Sequence, residues 1–372
     1  MKTWLWRGAL ALALLGMLGG LVMLSGIVPI KASSRHWAIT AWLLDFSKQR
    51  SVSTHTLGLK APPLDDPRMV VKGGAYFDIG CRPCHGGPEL RQPRIPAQMT
   101  PHPVYLPPRI ADWAAEELFY MIKHGIKFTG MPAWPAPGRD DEVWAIVAFL
   151  KRLPHLDAAQ YSRVTRGETA DDRMDAALRA LAAKSVAARR AVAENCSRCH
   201  GADGMGRNGA SPVIAGQRAA YIFASLDAYG RGKRHSGMME PIAAGLSVQT
   251  MSELAHFYAG LAPASRSASA DSAAIERGRA IALGGVAQNK VPPCAECHGP
   301  GERRRNPFYP DLAGQHGDYL VLQLQLFKAG IRGGSAYAHL MQHVAPHLSE
   351  AQIRDLAAYY SVADSKKVGI EN

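Results

Sequence analysis

Cys81-Arg82-Pro83-Cys84-His85 is the first of three segments in which two cysteines are separated by two residues and followed directly by a histidine. The pattern returns as Cys196-Ser197-Arg198-Cys199-His200 and as Cys294-Ala295-Glu296-Cys297-His298. These segments contain all six cysteines of the 372-residue chain. One explanation must therefore account for every cysteine.

Three kinds of chemistry use closely spaced cysteines. Disulfides between six cysteines would restrain little of a chain this long, and cysteines this close are awkward partners for a structural disulfide. Tetrahedral zinc takes two Cys-x-x-Cys pairs per site, so the third pair would be left over. The histidine after each pair favours haem c, because the sulfurs form thioethers with the porphyrin and the imidazole reaches the iron. The pattern predicts three covalently bound haems c, with His85, His200 and His298 as ligands.

On these motifs the chain resembles the class I cytochrome c family. The resemblance implies a second iron ligand in each domain, a methionine on a loop that lies over the other haem face. The methionines that fit are Met131, Met239 and Met341. Met131 lies in Gly130-Met131-Pro132-Ala133-Trp134, which looks like the methionine loop of single-haem family members.

The last two motifs belong to an internal repeat. Gly216-Gln217-Arg218-Ala219-Ala220-Tyr221 matches Gly314-Gln315-His316-Gly317-Asp318-Tyr319 at an offset of 98 residues, which also relates the two motifs. Residues 239–247 match residues 341–349 at an offset of 102, and this register selects Met239 over its neighbour. The repeat resembles the tandem diheme cytochromes c.

Other side chains compete with the predicted methionines. The rival ligands are Met99 and His124 in the first domain, Met238 in the second, and His339 and His343 in the third. Each methionine also has a packing alternative, because methionine often fills hydrophobic cores.

The N-terminal segment is a candidate membrane anchor. Between Arg7 and Lys31 lie 23 uncharged residues, and a helix of that length spans roughly 35 Å, enough to cross a bilayer. The residues that follow fit a cleavage site poorly, so we expect an uncleaved anchor, with a cleaved signal as the alternative. Trp37, Trp42 and Phe46 predict a short helix in the membrane interface or, equally, packing against the first domain.

Composition divides the chain into seven segments. They are an anchor or signal (1–33), an interfacial helix and proline-rich linker (34–67), cytochrome c domain 1 (68–156), a connector (157–184), cytochrome c domain 2 (185–263), a linker (264–272) and cytochrome c domain 3 (273–364). The predicted fold class is all-α, with three cytochrome c-like haem domains in tandem behind a transmembrane helix. Seven prolines within residues 88–108 predict an extended loop over one haem edge.

Helical periodicity supports compact helical domains. Gly73, Phe77 and Cys81 are spaced by four and share one helix face. The apolar stripe of residues 140–153 predicts the helix that packs on it. A capping box at residues 349–352 predicts the start of the last helix.

The net charge of +12 is concentrated at the N-terminus, where the first 50 residues hold six Lys or Arg and one acid. The remaining charge is too dilute for a nucleic-acid binder, so we expect no nucleic acid partner. Mild positive charge suits acidic surfaces of redox proteins. Arg303-Arg304-Arg305 is the one dense cluster and the candidate docking patch.

The resemblance implies an electron carrier and not an enzyme, because an iron held by His and Met has no open position for a substrate. We predict a relay between redox protein partners, a donor and an acceptor such as a terminal oxidase, with no small-molecule substrate. The alternatives are a cytochrome subunit of a membrane dehydrogenase or oxidase complex, and a haem peroxidase or reductase. Family members attach haem outside the cytoplasm, which implies a single-pass protein of the inner membrane with periplasmic haem domains.

Overall fold

The computed structural model describes residues 2–167, 172–262, 271–300 and 305–364. Regular structure in these ranges is helical, and β pairing is limited there to two isolated bridges, Gly87 with Leu90 and Val286 with Val291. The all-α prediction is therefore confirmed. Short 3-10 turns cover Pro96–Gln98, Ile110–Asp112, Leu153–His155, Arg207–Gly209, Ala287–Asn289 and Ala345–His347.

Two helices precede the first haem motif. Helix α1, Lys2–Leu24, is exposed along its length, and it is the one helix in the described part of the chain that is long and apolar enough to span a membrane. Helix α2, Ala38–His55, differs between its halves. Its first half exposes Trp42 and Phe46, whereas Val52 in the second half is buried in the core of the next unit. The side chains of the prediction, Trp37, Trp42 and Phe46, are thus exposed, and α2 packs on the first unit through Val52 in its second half.

The first helical unit surrounds the first motif. Its helices are α3 (Pro67–Tyr76), α4 (Arg82–His85), α5 (Ala115–His124), α6 (Asp140–Arg152) and α7 (Ala158–Arg166). A π-helical turn, Phe77–Cys81, joins α3 to α4, so the helix runs into the motif. Helices α3 and α6 cross so closely that a Cβ on Gly73 would lie 1.8 Å from the carbonyl oxygen of Ala145. Glycine is therefore required at this crossing.

The second and third units repeat this plan. The second unit contains α8 (Asp172–Lys184), α9 (Val186–Ala191), α10 (Ser197–His200), α11 (Ala219–Gly230), α12 (Met239–Ala244) and α13 (Val248–Ala259). The third contains α14 (Ser272–Gly284), α15 (Ala295–His298), α16 (Gly317–Lys328), α17 (Ala338–Val344) and α18 (Glu350–Val362). A π-helical turn, Val192–Cys196, leads into the second motif, whereas a loop separates α14 from the third. The predicted capping box opens α18.

The predicted connector is two helices divided between its neighbours. Tyr161 of α7 is fully buried in the core of the first unit, and Leu178 and Leu181 of α8 belong to the core of the second. Residues 168–171 lie outside the described residues. So do residues 263–270, which form most of the predicted linker, and two members of the candidate docking patch, Arg303 and Arg304.

Candidate haem sites

Each Cys-x-x-Cys-His segment ends in one helical turn that positions its histidine. Helices α4, α10 and α15 all end at the motif histidine. The next residue in each case is a glycine with positive φ, namely Gly86 (69°), Gly201 (76°) and Gly299 (75°). Glycine adopts this conformation without a steric penalty, so the chain turns away directly after the histidine.

The three histidines are oriented in the same way. Nδ1 lies 2.8 Å from the carbonyl oxygen of Val104 for His85, 3.0 Å from that of Pro212 for His200, and 2.9 Å from that of Pro310 for His298. Because a carbonyl oxygen only accepts, Nδ1 carries the proton and Nε2 keeps its lone pair for a metal. Burial lowers the pKa of all three histidines, although the bond to the carbonyl opposes this shift. They are therefore neutral imidazoles, the form that binds iron.

All six cysteines are free and form no disulfide. Burial raises the pKa of Cys81 and Cys196 to about 12, and that of Cys199 and Cys294 to about 11. Within the described ranges, no three His, Cys, Asp or Glu side chains converge on a common metal position. The disulfide and zinc alternatives thus find no support.

The second and third motifs share one cavity of about 1490 Å³. Its walls include the predicted ligands of both units, namely Cys196, Cys199, His200 and Met239 together with Cys294, Cys297, His298 and Met341. The volume is larger than the roughly 300–1,000 Å³ of a usual ligand pocket. Tyr360 lines it with a buried hydroxyl that has no hydrogen-bond partner among the described residues. The cavity therefore fits two large, mostly apolar groups.

Two arginines line the same cavity at equivalent positions of the repeat. Arg234 of the second unit donates to the Tyr319 hydroxyl at 3.4 Å, and Arg332 of the third donates to the Tyr221 hydroxyl at 3.1 Å. Burial opposes ionisation of Tyr221, but the two guanidinium groups outweigh it and lower its pKa to about 8. The cavity wall therefore favours negative charge, as the carboxylates of haem require. Neither arginine was among the predicted site residues, although their offset of 98 residues, the same as that of the motifs, was a signal.

Two glutamines cross the interface between the second and third units. The side-chain amide of Gln217 donates to Asp311 O at 2.9 Å and accepts from Asp311 N at 3.0 Å. Gln315 makes the same pair of bonds with Val213, both at 2.9 Å. Val213 and Asp311 each follow the proline whose carbonyl accepts from a motif histidine. Each unit thus holds the segment that orients the other unit's histidine.

The rival ligands of the tandem pair line the same cavity as the predicted ones but differ from them in exposure. Met238 is buried and also belongs to the core of the first unit, whereas Met239 is partly buried. His339 and His343 are exposed, and His343 Nδ1 donates to the carbonyl of His339 at 2.8 Å. Met341 is partly buried at the cavity wall.

The first site has two methionines close together. Met131 is partly buried against the core of its unit, and its carbonyl accepts from the backbone N–H of Ile126 at 3.1 Å. Met99 lies against the same loop, because a Cβ on Gly130 would be 2.0 Å from its methyl carbon. His124, the other rival, is exposed at the end of α5.

Comparison with known proteins places these sites in a family. Residues 69–150 match the profile for cytochrome c oxidase, cbb3-type, subunit III, and residues 185–261 and 275–361 match the cytochrome c profile. The thiosulfate dehydrogenase electron acceptor of Stutzerimonas stutzeri is 35% identical over 47% of this chain and 81% of its own. Cytochrome c4 of Pseudomonas aeruginosa is 32% identical over 48% of this chain and 89% of its own.

A solved structure, reduced cytochrome c4 from Pseudomonas stutzeri, aligns with 53% of this chain and 100% of its own at 26% identity and a TM-score of 0.44. The profile matches and the two sequence relatives agree with the motif geometry. The chain belongs to the c-type cytochrome family, binds haem c covalently and transfers electrons.

Proposed function

We propose that the chain is a three-haem electron relay, with haems on Cys81 and Cys84, on Cys196 and Cys199, and on Cys294 and Cys297. The observation that carries the proposal is the common geometry of the three motifs. Each has a neutral histidine whose Nδ1 is bound to a backbone carbonyl and whose Nε2 is available. A single haem site would not require the same arrangement three times.

We assign His85, His200 and His298 as proximal ligands and Met131, Met239 and Met341 as distal ligands. A haem held in this way supplies one-electron redox chemistry without an open coordination position. The chain's own residues set the environment: apolar cavity walls exclude water, and Arg234 and Arg332 compensate negative charge. Axial methionine and an apolar shell both favour the reduced state.

The N-terminal helices support a position at the inner membrane, with the haem units in the periplasm. Helix α1 has the length and hydropathy to cross the bilayer. The exposed apolar side chains at the start of α2 suit the lipid interface directly after the span. Membrane fractionation with carbonate extraction tests this part, because an anchored chain stays in the pellet and a product with a cleaved signal is released.

The partners we propose are redox proteins, a donor and an acceptor, with no nucleic acid and no small-molecule substrate. A second candidate is a cytochrome subunit of a membrane dehydrogenase or oxidase complex. It is favoured by the match to an oxidase subunit profile and by a relative named as a thiosulfate dehydrogenase electron acceptor. Purification in mild detergent distinguishes the two, because a subunit copurifies with stoichiometric partners and a free carrier does not.

The pyridine haemochrome assay on purified protein tests the relay itself. We expect three haems c per chain. Replacement of both cysteines of one motif, for example Cys196→Ser with Cys199→Ser, should leave two. A count other than three in the unchanged protein contradicts the proposal, and stoichiometric carbon monoxide binding to the reduced resting protein would favour the peroxidase or reductase alternative.

A further inference from the structure

One buried carboxylate joins the first two haem motifs. Asp78 lies three residues before Cys81 and is 2% exposed. It accepts from the Tyr161 hydroxyl at 2.9 Å and lies 2.8 Å from Nε of Arg82, inside the first motif. It also pairs with Arg198, inside the second motif. The peptide segments that carry the first and second haems therefore meet at a single charge.

A second buried carboxylate joins the two methionine loops. Glu142 of α6 is fully buried, and its Oε2 accepts from Trp134 Nε1 at 2.9 Å and from the Gly237 backbone N–H at 2.7 Å. Its Oε1 accepts from the Ser236 hydroxyl at 2.7 Å, and that hydroxyl accepts from the Met239 N–H at 3.2 Å. Trp134 follows Met131 by three residues, so Glu142 connects both predicted distal ligands.

The contact at this second carboxylate is tight. A Cβ on Gly237 would lie 2.2 Å from the Trp134 ring, so the loops meet without space for a side chain. Arg139 balances the charge of Glu142 at 2.9 Å and also donates to the His235 carbonyl at 2.8 Å. A buried carboxylate with four donors is held firmly, because movement of the carboxylate would leave buried donors without a hydrogen-bond partner.

The first unit touches the third unit differently. Arg68 of α3 pairs with Asp318 of α16, and both side chains are about half exposed or more, 49% and 66%. An exposed pair of this kind contributes little. Gly138 of the first unit also faces Ile331 of the third, because a Cβ on Gly138 would lie 3.2 Å from the Ile331 side chain. Neither contact includes a haem motif or a predicted ligand loop.

We propose that Asp78 and Glu142 are positioning residues that fix the first haem site against the second, so that the first unit exchanges electrons with the third only through the second. This inference rests on the proposed function. The single electron held at the first site passes to the second, which is reduced as the first is oxidised, and no proton is needed. The order of the relay then follows the order of the chain.

The test compares Glu142→Gln with Asp318→Asn, the same change from carboxylate to amide at the two interfaces. Glutamine has one acceptor oxygen, so its NH2 group must face one set of donors. We expect amide hydrogen exchange at Gly237 and Met239 to rise about tenfold or more in Glu142→Gln. Electron equilibration between the first and second sites should slow by a similar factor. It is followed spectroscopically after pulse reduction, in protein that also carries Met131→His, because this change of ligand distinguishes the first site from the others. Asp318→Asn should change neither the amide hydrogen exchange nor the rate of electron equilibration by more than about twofold.

Ser236→Ala removes the hydrogen bond from the Ser236 hydroxyl to Glu142 and keeps the charge of Glu142. It is the alternative variant if Glu142→Gln does not fold. We expect a smaller rise in exchange at Met239. Faster exchange with unchanged equilibration between the sites would overturn the proposal, as would no change in exchange, or an equal effect from Asp318→Asn. A haem count below three would instead contradict the proposed function, while hydrogen exchange would still report on the junction.

Discussion

Met238 and Met239 are adjacent in sequence and both line the shared cavity, but Met238 is also part of the core of the first unit. The register of the internal repeat also selects Met239. A methionine ligand raises the potential of a haem, whereas a core methionine acts only through packing.

Met239→His should therefore lower one of three midpoint potentials, by on the order of 100 mV out of the ≈0.8 V that axial ligands span, and leave the other two in place. Met238→Leu conserves volume and should leave all three unchanged. Redox titration followed by optical spectroscopy measures both. The opposite result, with Met238→Leu shifting a potential, would assign the ligand to the wrong neighbour.

The helix pairs at the centre of the first and third units depend on glycine. Gly278 of α14 faces α18, and a Cβ there would lie 2.0 Å from the carbonyl oxygen of Asp355. Gly284, at the end of the same helix and at the edge of the shared cavity, has no protein atom within 4 Å of its Cβ position. The same substitution should thus have opposite effects at these two positions.

We expect Gly278→Ala to lower the free energy of unfolding by about 1–3 kcal/mol or more, because α14 and α18 must separate. Gly284→Ala should be neutral or stabilising by up to about 1 kcal/mol, since alanine favours the helix. Denaturant unfolding followed by far-UV circular dichroism measures both. Equal losses at the two positions would mean that the crossing is not the cause.

Helices α3 and α6 are also joined by charge. Asp141 Oδ2 lies 3.0 Å from Lys72 Nζ, and Asp141 Oδ1 lies 2.8 Å from Arg139 Nε. Burial opposes ionisation of Asp141, but Lys72 and Arg139 outweigh it and hold its pKa well below the usual value. The unfolded carboxyl titrates near pH 4. The stabilisation is thus fully present above that pH and is lost as the pH falls toward the folded-state pKa.

Asp141→Asn should cost about 1–2 kcal/mol at pH 7, and the difference from the unchanged protein should shrink at pH 3. Asp112→Asn is the control, because Asp112 is 54% exposed and lies 3.5 Å from Arg109. Its effect should stay within about 0.5 kcal/mol. A difference for Asp141→Asn that grows at pH 3 would have the wrong sign for this pair.

At the scale of the whole molecule, the second and third units are joined by equivalent residues that cross over. Gln315→Leu keeps the volume but leaves the buried N–H and C=O of Val213 unpaired. We expect a loss of about 1–3 kcal/mol. Gln249→Leu, which removes only an exposed contact with Glu253, should change little. Thermal unfolding compares them, and equal melting temperatures would show that the glutamine contact is not stabilising.

Local patterns predicted the helices and motifs because their causes lie within a few residues. The stripe of α6, the helix face of Gly73 and the capping box of α18 are all of this kind. Nothing within a few residues of Glu142 indicates its role, because its partners Ser236 and Gly237 are more than ninety positions away. The repeated Gln217 and Gln315 were visible in the sequence, but their crossed contacts depend on how the two units pack.

The crossed contacts of Gln217 and Gln315 bear on whether the second and third units can exist separately. Each unit of the tandem pair supplies the glutamine side chain that bonds to the backbone of the other unit, so neither unit has all of its hydrogen bonds alone. A chain ending after α13 would leave the Gln217 amide without Asp311, and the N–H and C=O of Val213 without Gln315. The second and third units should consequently be inherited together, as one pair.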